Sequence, residues 1–490
     1  MSQTNRRQFL KHFISATSSG MAFLAGAPSL DRFKGLLSLP SAEASGDALL
    51  PFGDRSSKRW TNWIGNISFQ PDRIASPNSL DRLIQVVRES QKLHAVGSGH
   101  SFNGCVETKG TLINTKRLNR ILEVDRTHGR VRVEAGMVLS DFNDALAKLG
   151  LALPSLGDVA YQTLGGVVST ATHGSGMKWG TFSDEQSILG ADLVLANGSL
   201  LSLSQDRPSD HEYLKAARVG LGGLGTLYSL TFRVVEAFNL EQSTEALSLD
   251  QALDPKNYLE NDHFEFYYFP FTEKTLVIRR NTTGKPRDQK PIKNWLNEIV
   301  LENALLDLLV KSTTLNPSSF PRLMHFLVGL IPNENFVDRS DQVMTSPRFM
   351  KAYSMEYAFP IEHARAALDE YRECVEQFAS IPNKAGRYYA NLPVDVRFVR
   401  ADQGTYLSHA QGRDTCYIDI ASHKSVKNFE PFFRALERRF LKLGGRPHWG
   451  KLFYHNPRVH YPEFRQYADV RQNLDPDGKF INHFMKQLLL

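Results

Sequence analysis

Three glycine-rich stretches stand out for what their backbones could hold: VGSGHSFN (96–103), LGGVVSTATHGSG (164–176) and GLGGLGT (220–226). Glycine has no Cβ, so its backbone N–H groups can come close to pyrophosphate oxygens, and successive N–H groups in a turn form an anion nest. A single such turn is commoner as a plain chain reversal. Three in one region point to a nucleotide cofactor. None is a Walker loop, because no GxxxxGK[ST] occurs. A Rossmann loop should open a helix, whereas GLGGLG (220–225) runs into the strand-like TLYSLTF. A different dinucleotide-binding fold is required.

The elements that must position these turns alternate short β-rich runs with loops. VRVEAG (131–136) has the period of two expected of a strand, as do 190–195 and 227–234. Residues 80–91 and 140–149 read as helices, the second with Asp141 and Asp144 in its first turns. The stretch 45–237 is therefore α+β and rich in glycine-bearing loops. Residues 238–440 are more aromatic, with strands expected at 264–271 and 275–280 and helical spacing at 295–310 and 323–331. We read this as a second domain capping a ligand, its apolar helices belonging to the core. A membrane-facing patch, giving peripheral membrane association, is the second reading. Residues 441–490 carry RPHWGKLFYH and LDPDGKF, motifs unexpected in a dispensable tail.

A chain of 490 residues is too long for one core, so two domains are the default. Its 58 basic and 52 acidic residues are interspersed without a basic stripe, which argues against nucleic acid as a partner. Cys105, Cys374 and Cys416 permit at most one disulfide, and their spacing fits neither a zinc site nor a CxxC pair. They read as small apolar residues, and no metal is expected. At the N-terminus, Arg6 and Arg7 followed by Phe9, Leu10 and Lys11 resemble a twin-arginine export signal. Ala42-Glu43-Ala44 offers a cleavage site, so residues 1–44 are expected to be removed and the protein to be periplasmic or secreted from a bacterium. A basic tail with no signal function is the alternative.

The strings WTNWIGN, VGSGHSFN, LGGVVSTATHGSG, LGADLVLANG and GLGGLGTLYSLTFRVVEAF, in that order, resemble the PCMH-type FAD domain of the vanillyl-alcohol oxidase superfamily. Within it the chain is similar to the sugar-1,4-lactone oxidases (arabinonolactone and gulonolactone oxidases) and the alditol oxidases. HWGK (448–451) and LDPDGKFIN (474–482) match their C-terminal signature, while MEYAFP (355–360) and PVDVRF (393–398) carry a thinner likeness in the middle. The resemblance implies an α+β fold of two domains, a PCMH-type FAD domain and a mixed α/β cap, with the C-terminal segment returning to the FAD site. It implies FAD, joined covalently through His100. It places Gly97, Ser98, Gly99, Ser101, Thr163, Gly166, Thr170, Thr172, His173 and Gly174 against the pyrophosphate and ring, His173 as a shaper of its turn. Gly225 and Leu227 fall on the adenine side, and Gly157 and Asp158 beside the flavin.

On the substrate side the likeness assigns catalytic roles to Asp395, Arg397 and Lys451. Alternation along a strand puts Asp395 and Arg397 on one face. A cation there can hold a substrate oxygen as charge develops, and the carboxylate can take the hydroxyl proton. The family usually has glutamate where this chain has Asp395, and a small hydroxyl residue stands in alditol oxidases where this chain has Asp158, which tilts the reading towards lactones or another polyol-like substrate. Gly157 resembles members that admit oxygen to the reduced ring. The implied activity is oxidation of a CH–OH group of an aldonolactone, with oxygen or an electron carrier as acceptor. The alternatives are an alditol or sterol-type alcohol oxidase and, in another class, a non-catalytic flavin- or sugar-binding module.

Overall fold

The computed structural model describes residues 55–56, 59–288, 307–311, 313–329, 333–346 and 350–489. The export-signal reading and most of the 295–310 helix lie outside them. Residues 53–490 pack as one compact unit, in which the two halves keep separate apolar cores.

In the N-terminal half, the helix Leu80–Glu89 is capped by Ser79, whose hydroxyl accepts from the Arg82 amide. It delivers the chain into the strand Leu93–Val96, which pairs in parallel with Thr111–Asn114. The 96–103 loop leaves the end of that strand. A second, antiparallel sheet runs in the order Leu200–Ser204, Ile188–Val194, Thr226–Arg233, Arg130–Glu134, Ile121–Asp125. The helix Leu139–Lys148 packs Phe142 and Leu146 into its core. The C-terminal helices Phe464–Leu474 and His483–Leu489 enter the same core through Tyr467, Val470, Met485 and Leu488. The tail is thus an integral layer of this half, and the mixed α+β class expected from sequence is what is found.

One expectation was incomplete. LGGVVS is a short helix, Leu164–Ser169, where a glycine loop was read. Its glycines serve close approach, not turning: Gly165 donates its N–H to Ala135 O at 2.7 Å, and a Cβ there would lie 3.1 Å from that same oxygen. The helix expected at 323–331 starts earlier, at Phe320–Val328, with proline in its first turn.

The C-terminal half is built on an eight-stranded antiparallel sheet in the order Asn335–Arg339, Asn239–Ser248, Lys274–Thr283, His263–Tyr268, Val394–Val399, Thr415–His423, Ala352–Pro360, Arg446–Pro447. Its central strands alternate strictly. Phe264, Phe266, Val394, Val396, Phe398, Ile418, Ile420, Met355, Tyr357 and Phe359 form one face, buried against the helices Ala364–Ala379 and Phe429–Lys442. Truncating one of these aromatics, such as Phe398, should cost about 3–5 kcal/mol. The opposite face carries Glu265, Tyr267, Asp395, Arg397, Tyr417, Asp419, Ser354 and Glu356. Register aligns them in two rows: Glu265, Arg397 and Tyr417 lie side by side, as do Tyr267, Asp395, Asp419 and Glu356. A sheet face this rich in charge is costly to cover unless the charges meet one another or a polar ligand.

Candidate active site

The first two glycine stretches come together as the sequence required. A Cβ on Gly97 would fall 1.9 Å from Thr163 Oγ1, and one on Gly174 would fall 2.3 Å from Leu156 O. The 163–176 segment and its Thr163 therefore lie against the Gly97 backbone, and the backbones at Gly174 and Leu156 touch, which only glycine permits. Gly99 adopts φ +65°, and a Cβ there would fall 2.8 Å from the Trp60 ring. Trp63 Nε1 donates to His100 O at 2.9 Å, and the His100 ring is stacked on Trp63 at 4.8 Å between centroids, with Tyr161 at 6.3 Å. Ser101 is half-buried beside it. Thr170 donates its hydroxyl to Gly166 O at 3.0 Å and lies 3.4 Å from the Thr172 hydroxyl. The third stretch stands behind the first. Gly222 packs on the His94 ring, Gly225 has φ +156° against Val194 O, and Leu227 pairs with Leu193.

FAD fits this chemistry on two observations. The glycine loops pack in direct contact with one another, and the Ser98 and Thr226 hydroxyls are buried with no hydrogen-bond partner among the described residues. Buried hydroxyls need partners, and a polar ligand against these loops would supply them.

The substrate-side residues are also assembled. Arg397 Nη2 lies 2.6 Å from Asp395 Oδ2 and 3.9 Å from Asp158 Oδ2, and Arg397 Nε lies 3.0 Å from Glu265 Oε2. Glu265 is shared with Arg280 at 2.9 Å. Asp158 is held by Ser346, whose hydroxyl and amide donate to it at 2.6 and 2.9 Å. The flavin-side loop and the cap strand thus meet at Arg397. Three carboxylates face two guanidiniums, leaving one carboxylate in excess, and electrostatics select which. Arg280 and Arg397 outweigh burial to hold Glu265 below its usual range. Burial, reinforced by the charges of Glu265, Asp158 and Asp419, pushes Asp395 up to about 8 despite Arg397. Asp395 Oδ1 is buried without a hydrogen-bond partner.

Lys451 is fixed by the first glycine loop. Asn103 Nδ2 donates to Trp449 O and Lys451 O at 2.7 and 2.8 Å, and Phe102 N donates to Gly450 O. Its Nζ donates to Ser354 Oγ at 2.8 Å and Asp419 Oδ2 at 2.7 Å, with Glu356 Oε2 at 3.7 Å. Burial lowers its pKa, but Asp419 and Glu356 prevail and hold it above the ordinary lysine value.

The residues that sequence reasoning missed are Glu265, Ser354, Glu356, His409, Asp419 and His448. Glu356 sits in MEYAFP and His448 in HWGK, both motifs that had been noticed. Period-two alternation in CYIDIASH could have flagged Asp419 beside Tyr417. His173 does more than shape its turn: its ring reaches Glu356 at 2.9 Å. Gly157 differs from expectation in one respect. An added Cβ would point at His173 O, 3.1 Å away, and at Thr172 Cγ2, 3.3 Å away, so the glycine first serves loop contact.

Residues 230–488 match the model of the D-arabinono-1,4-lactone oxidase family, and residues 71–204 match that of the FAD binding domain. The chain is 35% identical over 441 residues to L-gulono-1,4-lactone dehydrogenase of Mycobacterium tuberculosis, covering 88% of this chain and 99% of that one. The chain belongs to the D-arabinono-1,4-lactone oxidase family. It is a FAD-dependent oxidoreductase acting on CH–OH donors. The likeness extends to L-gulonolactone oxidase of Bos taurus, 31% identical with 88% of this chain and 98% of that one covered. Among solved structures, a cholesterol oxidase from B. sterolicum superposes with a TM-score of 0.71 at 17% identity, covering 89% of this chain and 97% of that one, which bears on the fold alone.

Proposed function

We propose that the protein oxidises a CH–OH group of an aldonolactone, using the polar face of the cap sheet to hold the sugar against the flavin loops. The observation that carries this is the convergence of buried Arg397 with the partly covered Asp395, Lys451 and Asp158 where the two halves meet. A sugar lactone presents several hydroxyls and a carbonyl, and this face offers both donors and acceptors. A sterol would need a largely apolar lining here, which this half of the face lacks. FAD, when bound, supplies the hydride acceptor. Asp395 Oδ1, with no other partner, takes the hydroxyl proton, and Arg397 and Lys451 stabilise the oxygen as its C–O bond gains double-bond character.

We assign His100 as the covalent flavin link, on the strength of its place in VGSGHSFN and its half-buried, stacked setting. Gly157 supports oxygen as one acceptor, with an electron carrier as the other. The paired Arg6 and Arg7 support twin-arginine export of the folded holoprotein. N-terminal sequencing of the exported form tests it. Among the described residues no helix is long and apolar enough to cross a membrane; a peripheral association of the cap is the remaining membrane reading. The deciding experiment is a panel of lactones, alditols and sterols scored by anaerobic bleaching of the flavin. Bleaching by lactones supports the proposal, and a flavoprotein inert to all of them overturns it.

A further inference from the structure

His173 and Glu356 approach one another from the two halves of the molecule, both buried. The histidine's Nδ1 lies 2.9 Å from Gly174 O. A carbonyl only accepts, so Nδ1 carries a hydrogen. Nε2 lies 2.9 Å from Glu356 Oε1, and a carboxylate oxygen is also an acceptor, so a second proton must sit on that line.

Which atom owns that proton follows from the surroundings. Burial raises the Glu356 carboxyl, but His173 and Lys451 outweigh it and hold Glu356 well below its usual range. Lys451, itself held charged, stands 3.7 Å from the other Glu356 oxygen and favours the ionised carboxylate, which leaves the proton on the imidazole. The neighbouring histidines do not compete. His448 Nδ1 accepts from the Gly450 amide at 3.0 Å, and burial drives His448 down to about 3, so it is neutral. His409 Nε2 faces Thr170 O at 3.3 Å, and its Nδ1 takes the Tyr417 hydroxyl at 2.7 Å. The Tyr417 ring is stacked on His173 at 3.5 Å. The same hydrogen bonds count against a metal. His173, Glu356 and His448 lie close enough to hold one, but neutral His448 has its hydrogen on Nε2 and its Nδ1 lone pair engaged.

We propose that His173 and Glu356 form a buried imidazolium–carboxylate pair that ties the 163–176 segment to Lys451 and positions its ammonium. Glu356 is the bridge, with one oxygen on His173 and the other 3.7 Å from Lys451 Nζ. Both are positioning residues; neither is assigned a reacting atom. This rests on the flavin reading above.

The test uses two readouts that do not depend on turnover. In the 15N-histidine-labelled protein, with the His173 signal assigned by its loss in His173→Gln, both ring nitrogens should be protonated. In Glu356→Gln the imidazole loses its counter-charge, so the same measurement on that variant should find Nε2 without its proton. The Michaelis constant should rise as Lys451 loses its bridge. An unprotonated Nε2 in the wild-type protein overturns the pair, whether or not Glu356→Gln folds. An unchanged Michaelis constant in flavin-loaded Glu356→Gln overturns its bridge to Lys451. A wild-type protein that carries no flavin would instead sink the underlying reading while leaving the nitrogen measurement to judge the pair.

Discussion

If Asp395 is the base, flavin reduction must follow its ionisation. The carboxyl stands at about 8 because it is buried among Glu265, Asp158 and Asp419 with only part of one guanidinium to itself. Two pH units below that value about one molecule in a hundred carries the base, so the second-order rate of anaerobic flavin reduction should rise about tenfold per pH unit and level off above 8. Asp395→Asn removes the base while keeping the shape, so its rate should fall by roughly 10²–10⁴ and lose the pH limb. Stability should move the opposite way. The native pKa exceeds the unfolded one, so the native state keeps a proton that the unfolded chain releases between about 4 and 8. The stability tied to this group is present below about 4 and is lost as pH rises to about 8. The asparagine variant should lack that decline. Stopped-flow bleaching across pH, alongside thermal unfolding of both proteins, measures the two slopes. A pH-independent rate in the wild type, or an unchanged limb in Asp395→Asn, refutes the assignment.

Arg397→Lys keeps the charge but loses the fork that spans Asp395, Glu265 and Asp158. It should fold, bind flavin and reduce it about 10²–10³-fold more slowly; near-normal reduction would place Arg397 outside the chemistry. His100→Ala should retain its fold and release its flavin on acid denaturation, whereas wild-type flavin stays with the polypeptide. Gly157→Ala should slow reoxidation by oxygen in stopped-flow mixing. Because the new methyl would press on His173 O, a shift of the flavin absorbance band should accompany it, and a slowed reaction with an unmoved band would favour a pure gate.

The flavin side of this site was legible because its signal is local. Gly97, Gly99 and Gly174 are demanded by contacts and a positive φ that no other residue tolerates, and each lies inside a short motif. Asp395 and Arg397 were legible because a strand's period of two forces them onto one face. What stayed hidden was set by pairing across the sheet. Glu356 and His173 are 183 residues apart in sequence, and Asp419 acquires its place only when the strands Thr415–His423 and Ala352–Pro360 pair in register. The helix Leu164–Ser169 escaped because it holds two glycines, which ordinarily weaken a helix; Gly165 is kept there to let Ala135 approach.

The aspartate at 395 is what makes the excess proton useful. Its Oδ2 reaches Arg397 two residues along the same strand, and its Oδ1 is buried without a hydrogen-bond partner. A glutamate would extend the carboxylate by one C–C bond, about 1.5 Å, in a site where the same guanidinium already faces Asp158 and Glu265. Asp395→Glu should therefore keep a base and its pH limb, yet bring two carboxylates closer and shrink the room for substrate. The Michaelis constant should rise most for the larger lactones and least for those one carbon shorter, with the limb shifted to higher pH by the added repulsion. Steady-state kinetics on lactones differing by one carbon reads this directly. An equal change for all of them would mean that position 395 sets charge and not the depth of the chamber.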